Sequence, residues 1–257
     1  TWVPFVRELW SSAEQQQNYL MGVPEGADLA ETPVSNPSNH FLRMTGMTNI
    51  SADGTLEGEY VVMAEGQTHA AIRGMFTRAY VADWAAKVEK EVLRVAPQAQ
   101  LVKVSYDYPY DYLKGPIQIH FRIRIPEYAT FAGDELIFTP FLATGFMKRA
   151  MPHTGFDTGL NSRKYPFRDR TSHTVEITEK ITLPGMKELV YSPAPSSGDG
   201  SGAQYYGIVK RENDALKFAF NATYPKRIYQ PEDWDSFRKA VEGQEAFSTE
   251  PVIVRVR

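Results

Sequence analysis

The segment Tyr106-Asp107-Tyr108-Pro109-Tyr110-Asp111-Tyr112 is the densest chemical feature of the chain. In an extended backbone, successive side chains alternate between faces. Tyr106, Tyr108, Tyr110 and Tyr112 would then line one face, and Asp107 and Asp111 the other. A tyrosine ladder beside carboxylates is suited to stacking on sugar rings or gripping a peptide. Pro109 argues against a central strand, so the same residues also fit a strand end whose tyrosines cover a core edge.

Other reactive groups are sparse. The five histidines are His40, His69, His120, His153 and His173. No two share an i, i+4 spacing or an H-x-H pair, so no local metal site is expected. The cysteine count is zero, which removes disulfides, thiolate metal sites and a cysteine nucleophile together. Asp233 and Asp235 are close, but a helix start explains Asp233 without catalysis. No Gly-rich phosphate loop and no G-x-S-x-G elbow occurs. The expectation is no catalytic residue, no cofactor, no metal and no enzyme activity of the chain's own.

Charge and hydropathy narrow the partners. A net charge of −3 and a pI near 6.0 give no reason to expect nucleic acid or an anionic membrane. No apolar run approaches the roughly 20 residues that span a bilayer.

The elements that position these residues read mainly as β. Residues 1–39 form a lead-in with apolar anchors Trp2, Val3, Phe5, Val6, Leu9 and Trp10. Phe41 to Ile50 and Leu56 to Ala64 make a hairpin, and Ala70 to Phe76 reads as a third strand. A helix follows from Asp83 to Ala96, capped by Asp83, and Leu101 to Tyr106 is a short strand. In the next strand Ile117, Ile119, Phe121, Ile123 and Ile125 alternate with Gln118, His120, Arg122 and Arg124, placing one face in a core and one in water. A final strand of this half runs from Glu135 to Phe141. Ala143 to Asn161 reads as a surface connection, with a boundary after residue 160.

From 161 to 257 a second module is expected. Its first strand, ending at Pro184, alternates Val175, Ile177, Ile181 and Leu183 with polar residues. Glu179 interrupts the apolar side, as a bulge or as an inward charge on an edge. Pro193 to Gly202 has the composition of a mobile loop. A hairpin turns through Glu212-Asn213-Asp214. A short helix starts at Pro231, buries Trp234, Phe237 and Val241, and ends at Gly243. The fold class expected is mainly β, two packed antiparallel β-sandwich-like modules with two principal short helices, with α+β as the alternative.

Arg163-Lys164-Tyr165-Pro166-Phe167, followed by the alternating strand to Leu183-Pro184, resembles the C-terminal region of bacterial transglutaminase-like proteins. Asp53-Gly54 with Leu56-Glu57-Gly58, Pro126-Glu127-Tyr128 through Gly133-Asp134-Glu135-Leu136, and Tyr229-Gln230-Pro231-Glu232-Asp233-Trp234 with Phe237-Arg238 match in the same order. Thr1-Trp2-Val3-Pro4-Phe5 is similar to the apolar segment just C-terminal to the catalytic Asp of such cores. The resemblance implies a Bacteroidetes-type multidomain parent, a periplasmic or cell-envelope setting, and a Cys-His-Asp core upstream of Thr1. No family catalytic residue maps onto this chain. The role implied is that of an accessory region, of unknown function within the family, that packs against or positions the core or its substrate. A glycan- or peptide-binding module using Tyr106–Tyr112 is the alternative. Arg163, Lys164, Arg168 and Arg170 flank the boundary and are expected to line a seam there.

Overall fold

The structure is a computed structural model and describes residues 14–256. The six apolar anchors expected in the lead-in lie outside the described residues. The elements in order are β1 (Asn18–Tyr19), β2 (Ala30–Glu31), β3 (Phe41–Ile50), β4 (Leu56–Ala64), α1 (Gly66–Thr77), α2 (Trp84–Val95), β5 (Gln100–Tyr106), β6 (Ile117–Ile125), β7 (Thr130–Ala132) and β8 (Glu135–Phe138). After three 3-10 turns come β9 (Phe167–Arg168), β10 (His173–Thr182), β11 (Glu188–Tyr191), β12 (Ser196–Asp199), β13 (Gln204–Glu212), β14 (Ala215–Tyr224), β15 (Ile228–Tyr229), α3 (Trp234–Thr249) and β16 (Val252–Arg255).

The fold is mainly β. Eight strands form one sheet in the order β12-β13-β14-β10-β3-β4-β6-β5. Neighbours are antiparallel except β10 and β3, which pair in parallel from Thr174 opposite Phe41 to Thr182 opposite Asn49. That pair carries the sheet across the boundary expected after residue 160. A four-stranded sheet, β11-β16-β8-β7, also draws two strands from each side of it.

The helices cover one face of the large sheet. α1 meets β3, β4 and β6, α2 meets β5, and α3 meets β12, β13 and β14. Beneath them lies a core whose strand residues alternate as the period of two requires, with Leu42, Met44, Tyr60, Val62, Ile119, Phe121, Ile177 and Phe220 all buried. The opposite face is the one open to water.

Four local expectations are corrected. Residues 70–76 are part of helix α1, because Thr68, His69, Ile72, Arg73 and Phe76 are buried at i, i+1, i+4, i+5 and i+8, which is a helical stripe. Ala143 to Asn161 is no surface connection in its first half. Phe146, Met147, Ala150, Met151 and His153 are buried in the core, held in 3-10 turns rather than in any element with a readable period. Ser196–Asp199 leaves the expected loop and pairs with β13 as an edge strand. Asp83 precedes α2 but makes no side-chain capping bond.

Two glycines permit close approaches. Gly46 lies between Glu179 and Tyr60 across the centre of the sheet. A Cβ there would fall 2.7 Å from the Tyr60 ring and 3.2 Å from Glu179 Cγ. Gly243 does not end α3, which runs on to Thr249. A Cβ at Gly243 would meet Ser196 Oγ at 2.5 Å, so the glycine lets the helix lie against the edge strands instead.

Candidate functional site

The tyrosine segment does not form a ladder. β5 ends at Tyr106, and the chain then turns. Tyr106 packs on Phe76 at 4.9 Å and on Trp84 at 5.9 Å between ring centroids. Tyr108 and Tyr110 lie on Trp84 at 5.9 and 6.3 Å and on each other at 5.7 Å, yet remain 61% and 47% exposed. Tyr112 parts from them and sits under the Arg73 guanidinium at 5.0 Å. Arg73 is buried on α1 and pins the loop by donating to the carbonyls of Pro109 at 2.8 Å and Gly115 at 3.2 Å. Asp107 accepts from the Gln118 N–H at 2.9 Å and from Lys114 Nζ at 3.3 Å, so it closes the loop. Asp111 is exposed. What survives of the expected surface is Tyr108 and Tyr110, held over a buried tryptophan, with Asp111 exposed next to them in the chain. It can stack on a ring or a planar group, and it holds no acid–base pair.

Two buried polar clusters are not legible as clusters in the sequence, although the alternation sets Glu179 on the apolar side of its strand. The first joins His153, His173 and Tyr224, whose rings stack at 4.4 to 5.1 Å. Thr171 carbonyl oxygen lies 3.0 Å from His173 Nδ1 and so places a proton there. His173 Nε2 and His153 Nδ1 share a hydrogen bond at 2.9 Å. His153 Nε2 lies 2.8 Å from Gln244 Oε1. Burial, then the neighbouring His173, holds His153 well below the usual imidazole pKa. Asp169 lies 3.8 Å from His173, and burial raises its carboxyl above the ordinary value. These groups are packed in the interior and present no reactive atom to solvent. Their positions, 20 residues apart in His153 and His173, follow from the 3-10 turns meeting β10, a contact without sequence period.

The second cluster is Glu179 with Thr48, Tyr60 and the turn at Leu142. Glu179 Oε1 accepts from Thr48 Oγ1 at 2.6 Å, and Oε2 accepts from the Leu142 N–H at 2.8 Å. Thr48 and Tyr60 hydroxyls are 2.8 Å apart. β10 is a central strand with an unbroken register at Glu179, so the residue marks neither a bulge nor an edge. Burial pushes its carboxyl up to about 7 against the Thr48 and Leu142 hydrogen bonds, which favour the charge.

Asp233 behaves as the helix start predicts. Its carboxylate accepts from the Gln230 N–H at 2.9 Å, from Lys226 Nζ at 2.7 Å and from Ser201 Oγ at 2.5 Å. Burial opposes the charge, but these bonds hold the pKa below the usual carboxylate value. His120 stands on the open face beside Gln118, as an exposed strand histidine. The expected basic seam is partly an aromatic one. Arg163 lies 4.0 Å from the Trp234 ring and 4.7 Å from Phe167, so it anchors the 163–167 segment onto α3. Among the described residues, no group of three or more His, Asp or Glu is arranged to hold a metal ion.

No family model and no curated protein matches the chain. A crystal structure from Parabacteroides distasonis ATCC 8503, described as that of "a putative protease", is similar over 48% of this chain at 16% identity, with a TM-score of 0.37. The chain spans about a quarter of that structure, 24% of its length. A likeness this low defines neither a shared fold nor a shared activity. Among the described residues, no helix is long and apolar enough to cross a membrane.

A further concave surface lies on the open face of the large sheet. A groove of about 540 Å³ runs over the middle strands and is floored by Thr45, Met47 and Val61, with Lys103, Arg122 and Lys180 around it. Sequence reading placed Arg122 and Lys180 on the polar side of their strands. It did not bring them together, because that depends on which strands are neighbours.

Proposed function

We propose that the chain is a non-catalytic accessory region of a transglutaminase-like protein, which packs against or positions a catalytic core or its substrate. One observation carries the reading. Nucleophilic catalysis of that kind needs a thiol beside an accessible imidazole. The chain has no cysteine; His40, His69, His153 and His173 are buried, and the exposed His120 has only Gln118 as a side-chain hydrogen-bond partner. The ordered motifs from residue 40 to 245 supply the link to the parent family.

Two measurements test it. Purified chain incubated with glutamine-containing peptides is expected to release no ammonia and to cleave no peptide bond above the buffer rate; turnover that scales with protein concentration overturns the reading. The coding sequence upstream of Thr1 is expected to encode Cys, His and Asp in that order, and a frame without them sinks the assignment to that family.

A second reading rests on the exposure of Tyr108 and Tyr110 over Trp84. Here the chain binds glycan or peptide by stacking on the two rings, each stacked ring contributing about 0.5–1.5 kcal/mol. On a glycan array or in a peptide pull-down, Tyr108→Ala with Tyr110→Ala is expected to abolish the signal while the unfolding midpoint stays put. Absence of any signal from the unmutated chain rules this reading out.

A further inference from the structure

The open face of the large sheet treats its charges in two ways. Arg43 lies directly opposite Glu176, Glu59 opposite Arg122, and Glu57 opposite Arg124. All three are ion pairs, with Arg43 Nε 2.7 Å from Glu176 and Arg124 Nε 3.5 Å from Glu57. One row departs from this rule. Lys210 is opposite Lys217, and Lys217 is opposite Lys180, on the adjacent strands β13, β14 and β10. All three are exposed, and none of their side chains has a hydrogen bond or an ion pair to the described residues. Like charges directly opposite in a sheet are destabilising. A sheet that elsewhere pairs its charges tolerates an unpaired cationic row here.

The row continues across the sheet through Met47, Glu59, Arg122 and Lys103. Its six strand intervals, each about 4.8 Å, make it roughly 29 Å long. It holds five cations and one acid, and that acid is already committed to Arg122. The groove of about 540 Å³ lies along the part of the row from Lys180 to Lys103, with Met47 60% exposed and Val61 beside it, and Lys217 and Lys210 continue the row beyond the groove.

We propose that this row is a binding site for an acidic, extended protein segment. Its carboxylates pair with Lys210, Lys217 and Lys180, and an apolar side chain seats on Met47 and Val61. About nine residues of extended chain, at about 3.3 Å each, span the row. A polypeptide fits better than other polyanions. The chain as a whole carries −3, so a ligand that extends beyond the row meets repulsion. The row has no tyrosine, phenylalanine or tryptophan on which bases would stack. A row one residue wide, with five of its seven residues lining a concave groove, does not suit a flat bilayer. The inference goes beyond the accessory reading and does not depend on it.

The test uses the whole chain and a fluorescein-labelled nine-residue peptide of glutamates with one central leucine, read by fluorescence anisotropy. Saturable binding at 20 mM NaCl, weakening as salt rises, is the expected result. The triple variant Lys180→Glu, Lys210→Glu, Lys217→Glu is expected to weaken it by about tenfold or more. Lys217→Glu alone is expected to raise the unfolding midpoint by about 1–3 °C while weakening binding, because it turns two repulsions into attractions. A merely tolerated row would show no such opposition of stability and affinity. If the triple variant does not fold, Met47→Ser supplies the reading, losing affinity for the leucine peptide but not for an all-glutamate one. No saturable binding at 20 mM NaCl, unchanged affinity in both variants, or equal or tighter binding of oligothymidylate or phosphatidylserine vesicles overturns the proposal.

Discussion

Trp234→Ala is expected to cost about 3–5 kcal/mol of folding free energy, the range for truncating a buried aromatic. For a chain of this size that lowers the unfolding midpoint by roughly 6–20 °C. Three losses combine. The side chain is essentially fully buried and meets Phe167 edge-on at 5.2 Å and Phe237 at 6.0 Å, so its removal leaves a large cavity. Its Nε1–H donates to the Leu160 carbonyl at 2.7 Å, an acceptor that would be left without that donor. Its ring also seats Arg163 at 4.0 Å. The loss therefore reaches beyond α3, because Arg163 and Phe167 tether the irregular segment before β10. Trp234→Phe retains much of the volume and should cost clearly less. Urea unfolding checks both, and a loss under about 1 kcal/mol for the alanine variant would show that the Arg163–Phe167 segment collapses into the space.

Acidification from pH 7 to pH 4.5 is expected to remove a few kcal/mol of stability. Burial, then His173, lowers His40 from 6.5 to about 4. Burial, then Arg73 and His40, lowers His69 to about 4 as well. A depressed imidazole contributes stability that is fully present above pH 6.5 and is lost as the pH falls toward 4. A shift of this size corresponds to about 3 kcal/mol for each. His153 acts in the same direction. Two carboxyls oppose them. Glu179, raised from 4.5 to about 7, contributes stability that is fully present below pH 4.5 and is lost as the pH rises through 7. Asp169 is raised too. His40 and His69 against Glu179 leave a net loss on acidification of about 3 kcal/mol, to which His153 adds and from which Asp169 subtracts.

The structural consequence is local. His40 Nδ1 accepts the Gln67 N–H at 3.0 Å and so caps α1, whose own N-cap residue Glu65 makes no side-chain capping bond. A protonated His40 cannot accept that bond, and the buried His69 lies on the same helix. Acid should therefore loosen α1 first. Chemical unfolding at pH 7.5, 6 and 4.5 measures the total, and amide hydrogen exchange at Gln67 to Arg73 locates it. His69→Gln should flatten the pH slope by about one proton. Stability that is level or rising between pH 7.5 and 4.5 would show that Glu179 and Asp169 outweigh the histidines.

Local patterning alone accounts for the mainly β class, the strands with a clean period of two, the hairpin through Glu212-Asn213-Asp214, and the helix that buries Trp234, Phe237 and Val241. Each of these is written in residues close together along the chain, since alternation reports directly on a face. The hairpin even implies one pair of the cationic row. A turn that sets Glu212 opposite Ala215 sets Lys210 opposite Lys217. Chemistry that depends on which distant strands are neighbours is settled by the assembled sheet instead. The parallel pairing of β10 with β3 brings Lys180 to Met47 and Glu179 to Gly46. The meeting of β10 with the turn at 152–155 brings His173 to His153. Period along a strand says which face a side chain takes, but it carries no information about the residue about 4.8 Å to either side. The lysine row and both buried clusters belong to that second dimension of the sheet.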